Sequence, residues 1–191
     1  MRVLGVDPGL GRTGVAVVDG TPGSLRLVHA SCLSTPAGID DPARLLLLSE
    51  LVGTVLAEHR PAFAAVERLF FSTNRSTAMR VSEARGVLLC ALAAAGVPVA
   101  EYTPNEVKES VAGNGSAGKP QVLRMTMQLL AVDHIDGPDD VADACAIAVC
   151  HHHRAALALR VPRPGATSRH GVSALDAAVA AARARLGAPT G

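Results

Sequence analysis

The stretch Arg2-Val-Leu-Gly-Val-Asp7-Pro-Gly9-Leu-Gly11-Arg-Thr-Gly14-Val-Ala-Val-Val18 holds two short apolar runs with a glycine-rich turn between them, the pattern of a β-hairpin. A third run, Leu25 to Leu33, alternates as a strand does and is bounded by Gly23-Ser24 and Ser34-Thr35-Pro36. Three antiparallel strands are therefore expected before any helix. From Asp41 the spacing becomes helical: Leu45, Leu48, Leu51, Val52 and Val55 form an apolar stripe that ends at Pro61. Ala62 to Glu67 reads as a buried strand, Thr73 or Asn74 as the cap of a long helix reaching Ala95, and Val97 to Tyr102 as the next strand. Helices at about 104–112 and 120–131 follow, and the last starts near Pro138 with Val141, Ala144, Cys145, Ala148 and Val149 as its buried stripe. The order βββαβαβααα argues for an α/β fold on a mixed sheet flanked by helices rather than an all-parallel one.

The length of 191 residues suits one domain with a well-buried core plus an appendage. Trp is absent and Phe and Tyr number three and one, so the core must be aliphatic and Ala-rich. Cys32, Cys90, Cys145 and Cys150 show no C-x-x-C spacing and lie in apolar surroundings, as reduced thiols of a cytosolic protein would. The N-terminus reads as a strand without signal-peptide layout, and no apolar run is long enough to span a bilayer, so a cytoplasmic location without membrane attachment is expected. The net charge of +1 conceals an asymmetry: residues 157–191 carry five Arg and one Asp, leaving 13 basic and 16 acidic groups before them. The expected division is a domain over 1–156 and a loosely ordered basic tail rich in Ala, Arg and Pro over 157–191. An acidic body lacks the basic excess usual in phosphate binders, so a local patch would have to make any contacts to nucleic acid.

Two motifs mislead. Gly9-Leu-Gly11-Arg-Thr-Gly14 matches G-x-G-x-x-G after a strand, but a second strand follows instead of a helix N-terminus, and Asp7 puts a carboxylate where a pyrophosphate would sit. Gly113-Asn-Gly-Ser-Ala-Gly118-Lys119 fits the start of a P-loop, but Pro120 replaces the hydroxyl residue and no strand precedes it. A glycine-rich loop that carries a lysine to a phosphate backbone is the more economical reading.

The acidic residues carry the chemistry. Asp7 and Glu67 each end an otherwise apolar strand, where an unpaired carboxylate is costly. Asp7 also fits a turn-initiating Asp before Pro-Gly. Asp140 and Asp143 open the last helix at spacing i, i+3, so both project from one face; Asp140 also complements the helix dipole, and Asp139 reads as the cap. Strand ends and a helix start can meet at one sheet edge, and up to four carboxylates there repel one another unless cations bridge them. Oxygen ligands without His or Cys select Mg2+, with Mn2+ able to substitute. Two such ions, roughly 4 Å apart, clamp the attacking water and the leaving oxygen of a phosphodiester.

Gly5-Val-Asp7-Pro-Gly9, Val66-Glu67-x-x-Phe70, Glu83-Ala-Arg-Gly86, Val107-Lys108, Gly115-Ser-Ala-x-Lys119 and Asp140-x-x-Asp143-Ala together resemble the RuvC family of Holliday-junction resolvases, in order from residue 1 to about 154. The resemblance implies a ribonuclease H-like fold, an α/β domain with a five-stranded mixed sheet flanked by helices. It implies a crossover junction endodeoxyribonuclease with two divalent ions on Asp7, Glu67, Asp140 and Asp143. It further implies a homodimer that cuts four-way junction DNA symmetrically in recombination and repair, partnered by a branch-migration helicase complex of the RuvA and RuvB type. The tail lies outside the match.

Lys108 and Lys119 are the only lysines, both beside the Gly113–Gly118 loop, which favours phosphate contacts. Arg75 and Arg80 are further candidates for DNA binding. Phe70 is expected to stack on or wedge between junction bases, with anchoring of the loop in the core as the plainer alternative. In the long helix, Val81, Ala84, Leu88, Leu92 and Ala95 make one apolar face and Met79, Gly86, Cys90 and Ala93 a second. A surface helix needs only one, so the second suits a dimer seam at Met79, Gly86 and Cys90. His151, His152 and His153 point about 100° apart and cannot converge on a metal; a polar helix end is expected. The rival readings are an inert junction-binding scaffold, an ATPase of the actin and sugar-kinase class, and a ribonuclease H or RNA-processing relative.

Overall fold

The computed structural model describes residues 1–68 and 75–160. Three antiparallel strands come first, β1 (Val3–Asp7), β2 (Arg12–Thr21) and β3 (Ser24–Ser34). Helix α1 (Asp41–His59), strand β4 (Phe63–Glu67), helix α2 (Arg75–Ala94) and strand β5 (Val99–Tyr102) follow, and then helices α3 (Pro104–Ala112), α4 (Lys119–Leu130) and α5 (Asp139–Arg160). The five strands form one sheet in the order β3-β2-β1-β4-β5. β1 pairs antiparallel with β2 and parallel with β4, and β4 parallel with β5, so the expected mixed sheet is present. The hairpin strands run longer than their apolar cores because ladder hydrogen bonds continue through the polar flanks. No helix among the described residues is long and apolar enough to cross a membrane.

Period-two alternation divides each strand between two cores. Leu4, Val6, Val15, Val17, Ala64 and Val66 face α1 and α2, where Leu48, Val52, Ala84, Leu88 and Leu92 close one core. Val3, Ala16, Val18 and Ala65 face the other way, toward α3, α4 and α5, and pack with Val107, Val122, Ala144 and Ile147. On α1 the buried residues are Arg44, Leu48, Val52, Val55 and Leu56, whereas Leu45 and Leu51 are only partly covered. Arg44 tolerates burial because its Nε donates to Thr35 Oγ1 at 3.1 Å and its guanidinium pairs with Asp41 at 3.3 Å.

Two glycines let α5 lie directly on the sheet. A Cβ on Gly5 would stand 2.0 Å from the Ala144 carbonyl oxygen, and one on Gly14 would stand 1.8 Å from that of Asp140. Only hydrogen fits in either gap. Because Gly5 and Gly14 sit on β1 and β2, this close approach fixes where the first turn of α5 meets the strand ends. The helix starts at Asp139, with the Val141 N–H donating to the Pro138 carbonyl, so Asp139 lies in the first turn rather than capping it. At its other end α5 continues to Arg160, past residue 156.

Candidate active site

Strand parity aims the acids. Asp7 shares its face with Val3 and Gly5, and Glu67 shares its face with Ala65, which is the side that α5 covers. The parallel register sets Val6 beside Val66, so Asp7 and Glu67 end adjacent strands. The turn after Asp7 is held by Thr13, fully buried, whose Oγ1 donates to the Gly9 carbonyl at 2.6 Å. It is fixed further by the Thr35 N–H, which donates to the Gly11 carbonyl at 3.1 Å.

The four acidic side chains lie within electrostatic reach of one another. Burial and the carboxylates of Glu67, Asp143 and Asp140 push Asp7 up to about 8. Burial and Asp143 also raise Glu67, which Asp7, Lys119 and Lys108 partly offset. Asp7 and Glu67, at the ends of adjacent parallel strands, lie close enough for each to act on the titration of the other. The cations stand at the rim: Lys119 Nζ donates to Asp143 Oδ2 at 3.1 Å and lies 3.9 Å from Asp139, and Arg12 Nε is 3.0 Å from Asp140 Oδ2. The Arg12 N–H is not aimed at that oxygen, so the contact is an ion pair and Asp140 Oδ2 is buried with no hydrogen-bond donor among the described residues. Hydrogen bonding to Asp143, the first of several causes, raises Lys119.

A cavity of about 190 Å³ is lined by Glu67, Lys108, Lys119, Val122 and Asp143 among others, and a second, of about 250 Å³, shares Lys119 and Asp143 with it. A larger one, of about 530 Å³ between α1 and α2, has no carboxylate in its lining and so lacks ligands for phosphodiester chemistry. Among the described residues no three Asp, Glu, His or Cys side chains form a ready-made metal-ligating set; Arg12 and Lys119 occupy two of the carboxylates instead. The donor set nevertheless fits a hard divalent cation. All four groups supply oxygen, the innermost is destabilised as an anion by burial and its neighbours, and one buried oxygen has no donor among the described residues.

This crowding has a measurable consequence in the metal-free protein. A carboxyl whose folded value lies above its unfolded one binds extra protons in the folded state, so its stabilisation is complete at low pH and is lost as pH rises toward the folded value. For Asp7 that window runs from about 4 to about 8. Glu106, held low by the Thr103 N–H, acts oppositely and costs stability only when the solution is acidic. With chelator present, the melting temperature should be higher at pH 5.5 than at pH 8.5, by several degrees. Mg2+ should narrow the gap by raising the value at pH 8.5; equal metal-free melting temperatures would contradict the repulsion.

The other candidates divide. Lys108 on α3 and Lys119 at the start of α4 both act on Glu67. The capping box of Thr103 and Glu106 anchors α3, and Asn114 Oδ1 accepts from the Ser116 N–H and Oγ, each at 2.9 Å, which shapes the loop between the lysines. Arg80 is exposed and pairs with Asp41 at 3.2 Å. Phe70, the side chain of Arg75, the Thr73 or Asn74 cap and the tail beyond Arg160 lie outside the described residues. Met79, Gly86 and Cys90 are exposed along one stripe of α2, opposite its buried Ala84, Leu88 and Leu92, and nothing lies within 4 Å of a Cβ built on Gly86.

The histidines correct an expectation. His151 and His152 are buried rather than part of a polar helix end. His151 Nδ1 meets the Tyr102 hydroxyl at 2.9 Å, His152 Nε2 the Val18 carbonyl at 3.2 Å and His153 Nδ1 the Ser110 carbonyl at 3.0 Å. Each ties α5 to a different element, and His151 lies three helical turns, roughly 16 Å, from Asp140. Arg12 was not anticipated from the sequence. Its signal is parity: it shares the face of Gly14 and Ala16 on β2, the face that α5 covers.

A family model described as crossover junction endodeoxyribonuclease RuvC matches residues 3–151. The RuvC of Chloroflexus aurantiacus is 48% identical over 155 residues, 81% of this chain and 94% of that protein. The RuvC of Alkalilimnicola ehrlichii is 44% identical over 165 residues, 86% and 99% of the two chains. Among solved structures, Thermus thermophilus RuvC in complex with a Holliday-junction substrate superposes with a TM-score of 0.79 at 35% identity, covering 82% of this chain and 96% of that one. The yeast mitochondrial Holliday-junction resolvase, with a TM-score of 0.65 at 16% identity, shares the fold, which is ribonuclease H-like.

Proposed function

The chain belongs to the RuvC family of crossover junction endodeoxyribonucleases, and from that premise we propose that it resolves four-way DNA junctions by paired phosphodiester hydrolysis with two divalent ions. The observation that carries the reading is the meeting of Asp7, Glu67, Asp140 and Asp143 at one sheet edge, where burial and mutual repulsion raise Asp7 to about 8. These four would hold Mg2+, or Mn2+ in its place. The ions would supply a nucleophile by lowering the pKa of bound water and would stabilise charge on the leaving oxygen.

The chain's own residues do the rest. Lys108 and Lys119 flank the cavity that Glu67 and Asp143 line, where they can hold the phosphate against the carboxylates. The buried apolar residues Val6 and Val66 stand immediately before Asp7 and Glu67 on their strands and leave the two carboxylates partly covered. Phe70, Arg75 and Arg80 are proposed as further DNA contacts and the stripe of Met79, Gly86 and Cys90 on α2 as the homodimer seam, which would supply the symmetry that paired cuts need. Action in recombination and DNA repair, partnership with a RuvA and RuvB type helicase complex, a cytoplasmic setting, and a separate tail that starts after α5 rather than at 157 complete the proposal.

Incubating the full chain with a synthetic branch-migrating junction tests it. Symmetric nicks that need Mg2+ or Mn2+ and are absent with Glu67→Gln are expected. Junction binding without any cleavage in either metal would identify an inert scaffold instead, and cleavage of an RNA–DNA hybrid in preference to the junction would mark a ribonuclease H.

A further inference from the structure

Arg12 stands where neither strand pairing nor core packing requires a cation. It opens β2 with its side chain 61% exposed, yet its Nε lies 3.0 Å from Asp140 Oδ2, a buried oxygen with no hydrogen-bond donor among the described residues. Lys119 pairs with a second carboxylate of the cluster, its Nζ donating to Asp143 Oδ2 at 3.1 Å. The two outer carboxylates thus each hold a side-chain cation, whereas neither Asp7 nor Glu67 pairs with one among the described residues. Among the described residues, Lys108 and Asp139 also act on the cluster.

We propose that Arg12 is a positioning residue of the carboxylate cluster: it stands on Asp140 while the site holds no metal, is displaced when a divalent ion takes that carboxylate, and is then free to meet a DNA phosphate. The inference rests on reading the four acids as divalent-ion ligands. Its physics is competition. An ion that takes Asp140 must break the Arg12 pair, so the arginine weakens metal binding by the strength of that pair. A partly exposed ion pair is worth up to about three- to fivefold in an equilibrium constant. The exposed guanidinium gains what the carboxylate loses, because it can turn to the phosphate without moving the hairpin backbone. Metal loading and DNA affinity are thereby coupled through a single side chain.

The test uses the full chain with Arg12→Gln and Arg12→Lys. Calorimetric titration with Mn2+ should show about three- to fivefold tighter binding for Arg12→Gln, and binding within about twofold of the unsubstituted protein for Arg12→Lys. The salt dependence of junction binding supplies the second readout. In Ca2+ the slope of log K against log[KCl] should be shallower for Arg12→Gln by about one, whereas in EDTA, with Arg12 held on Asp140, the slopes should agree. Unchanged or weaker Mn2+ binding by Arg12→Gln overturns the proposal, as does a slope difference that persists in EDTA. If the unsubstituted protein itself binds no Mn2+, the reading of the acids as ligands falls with it; if it binds Mn2+ and Arg12 makes no difference, only the displacement falls.

Discussion

Asp7→Asn should reduce junction cleavage at saturating Mg2+ by about a thousandfold or more and, at pH 8 in chelator, should make the protein harder to melt. The two effects have one origin. Asp7 is the innermost carboxylate, and burial together with Glu67, Asp143 and Asp140 makes its ionised form unfavourable in the metal-free protein. An Asn amide removes the charge and offers an N–H donor to the neighbouring Glu67. Relief of an unfavourable buried charge contributes on the order of 1–3 kcal/mol, which in a chain of this size raises the melting temperature by about 2–4 °C per kcal/mol. The same substitution deletes an anionic group of the proposed ion site, so divalent ions should stabilise the variant less than the unsubstituted protein. Cleavage assays on a four-way junction and melting curves with and without Mg2+ check both halves. A variant that cuts normally, or that melts lower in chelator, would show that Asp7 is a turn residue and not the centre of a repelling cluster.

Gly14→Ala should lose both stability and cleavage although residue 14 bears no functional group. The added Cβ would stand 1.8 Å from the Asp140 carbonyl oxygen and 2.3 Å from its carbon, both backbone atoms that cannot rotate away. The first turn of α5 must lift off β2, at a cost of about 1–3 kcal/mol for overpacking. The turn that lifts carries Asp140, and a displacement on the order of 1 Å in a catalytic constellation costs about a hundredfold in rate. Gly5→Ala, 2.0 Å from the Ala144 carbonyl oxygen, should destabilise to a similar degree. Gly53→Ala is the control. It lies exposed within α1 with nothing within 4 Å of the new methyl group, so it should stabilise by about 0.5–1 kcal/mol with cleavage unchanged. Thermal melts and single-turnover cleavage rates on the three variants separate steric displacement from a general intolerance of substitution.

Which parts of this molecule were readable in one dimension follows from the range of the interactions that form them. The hairpin of β1 and β2, the period-two strands and the helical stripes depend on residues two to four positions apart, so the order of elements was legible from spacing. Asp7 and Glu67 stood out because each carboxylate interrupts an apolar run at a strand end, and Asp140 and Asp143 because their i, i+3 spacing opens a helix. The long-range contacts were hidden. His151 and His152 look polar in the sequence, but buried acceptors and donors on Val18 and Tyr102 meet them. Arg12 looked like part of a glycine-rich turn, and its pairing with Asp140 spans 128 positions of the chain.

The chain by itself determined the type and order of its elements and which carboxylates had no place in an apolar run, because both depend on near neighbours and on the cost of burying charge. The tertiary structure decided that those acids meet, and which cations meet them. That outcome depends on the parallel register of β1 with β4 and on two glycine gaps that seat α5 on the sheet, and neither is written in any local pattern.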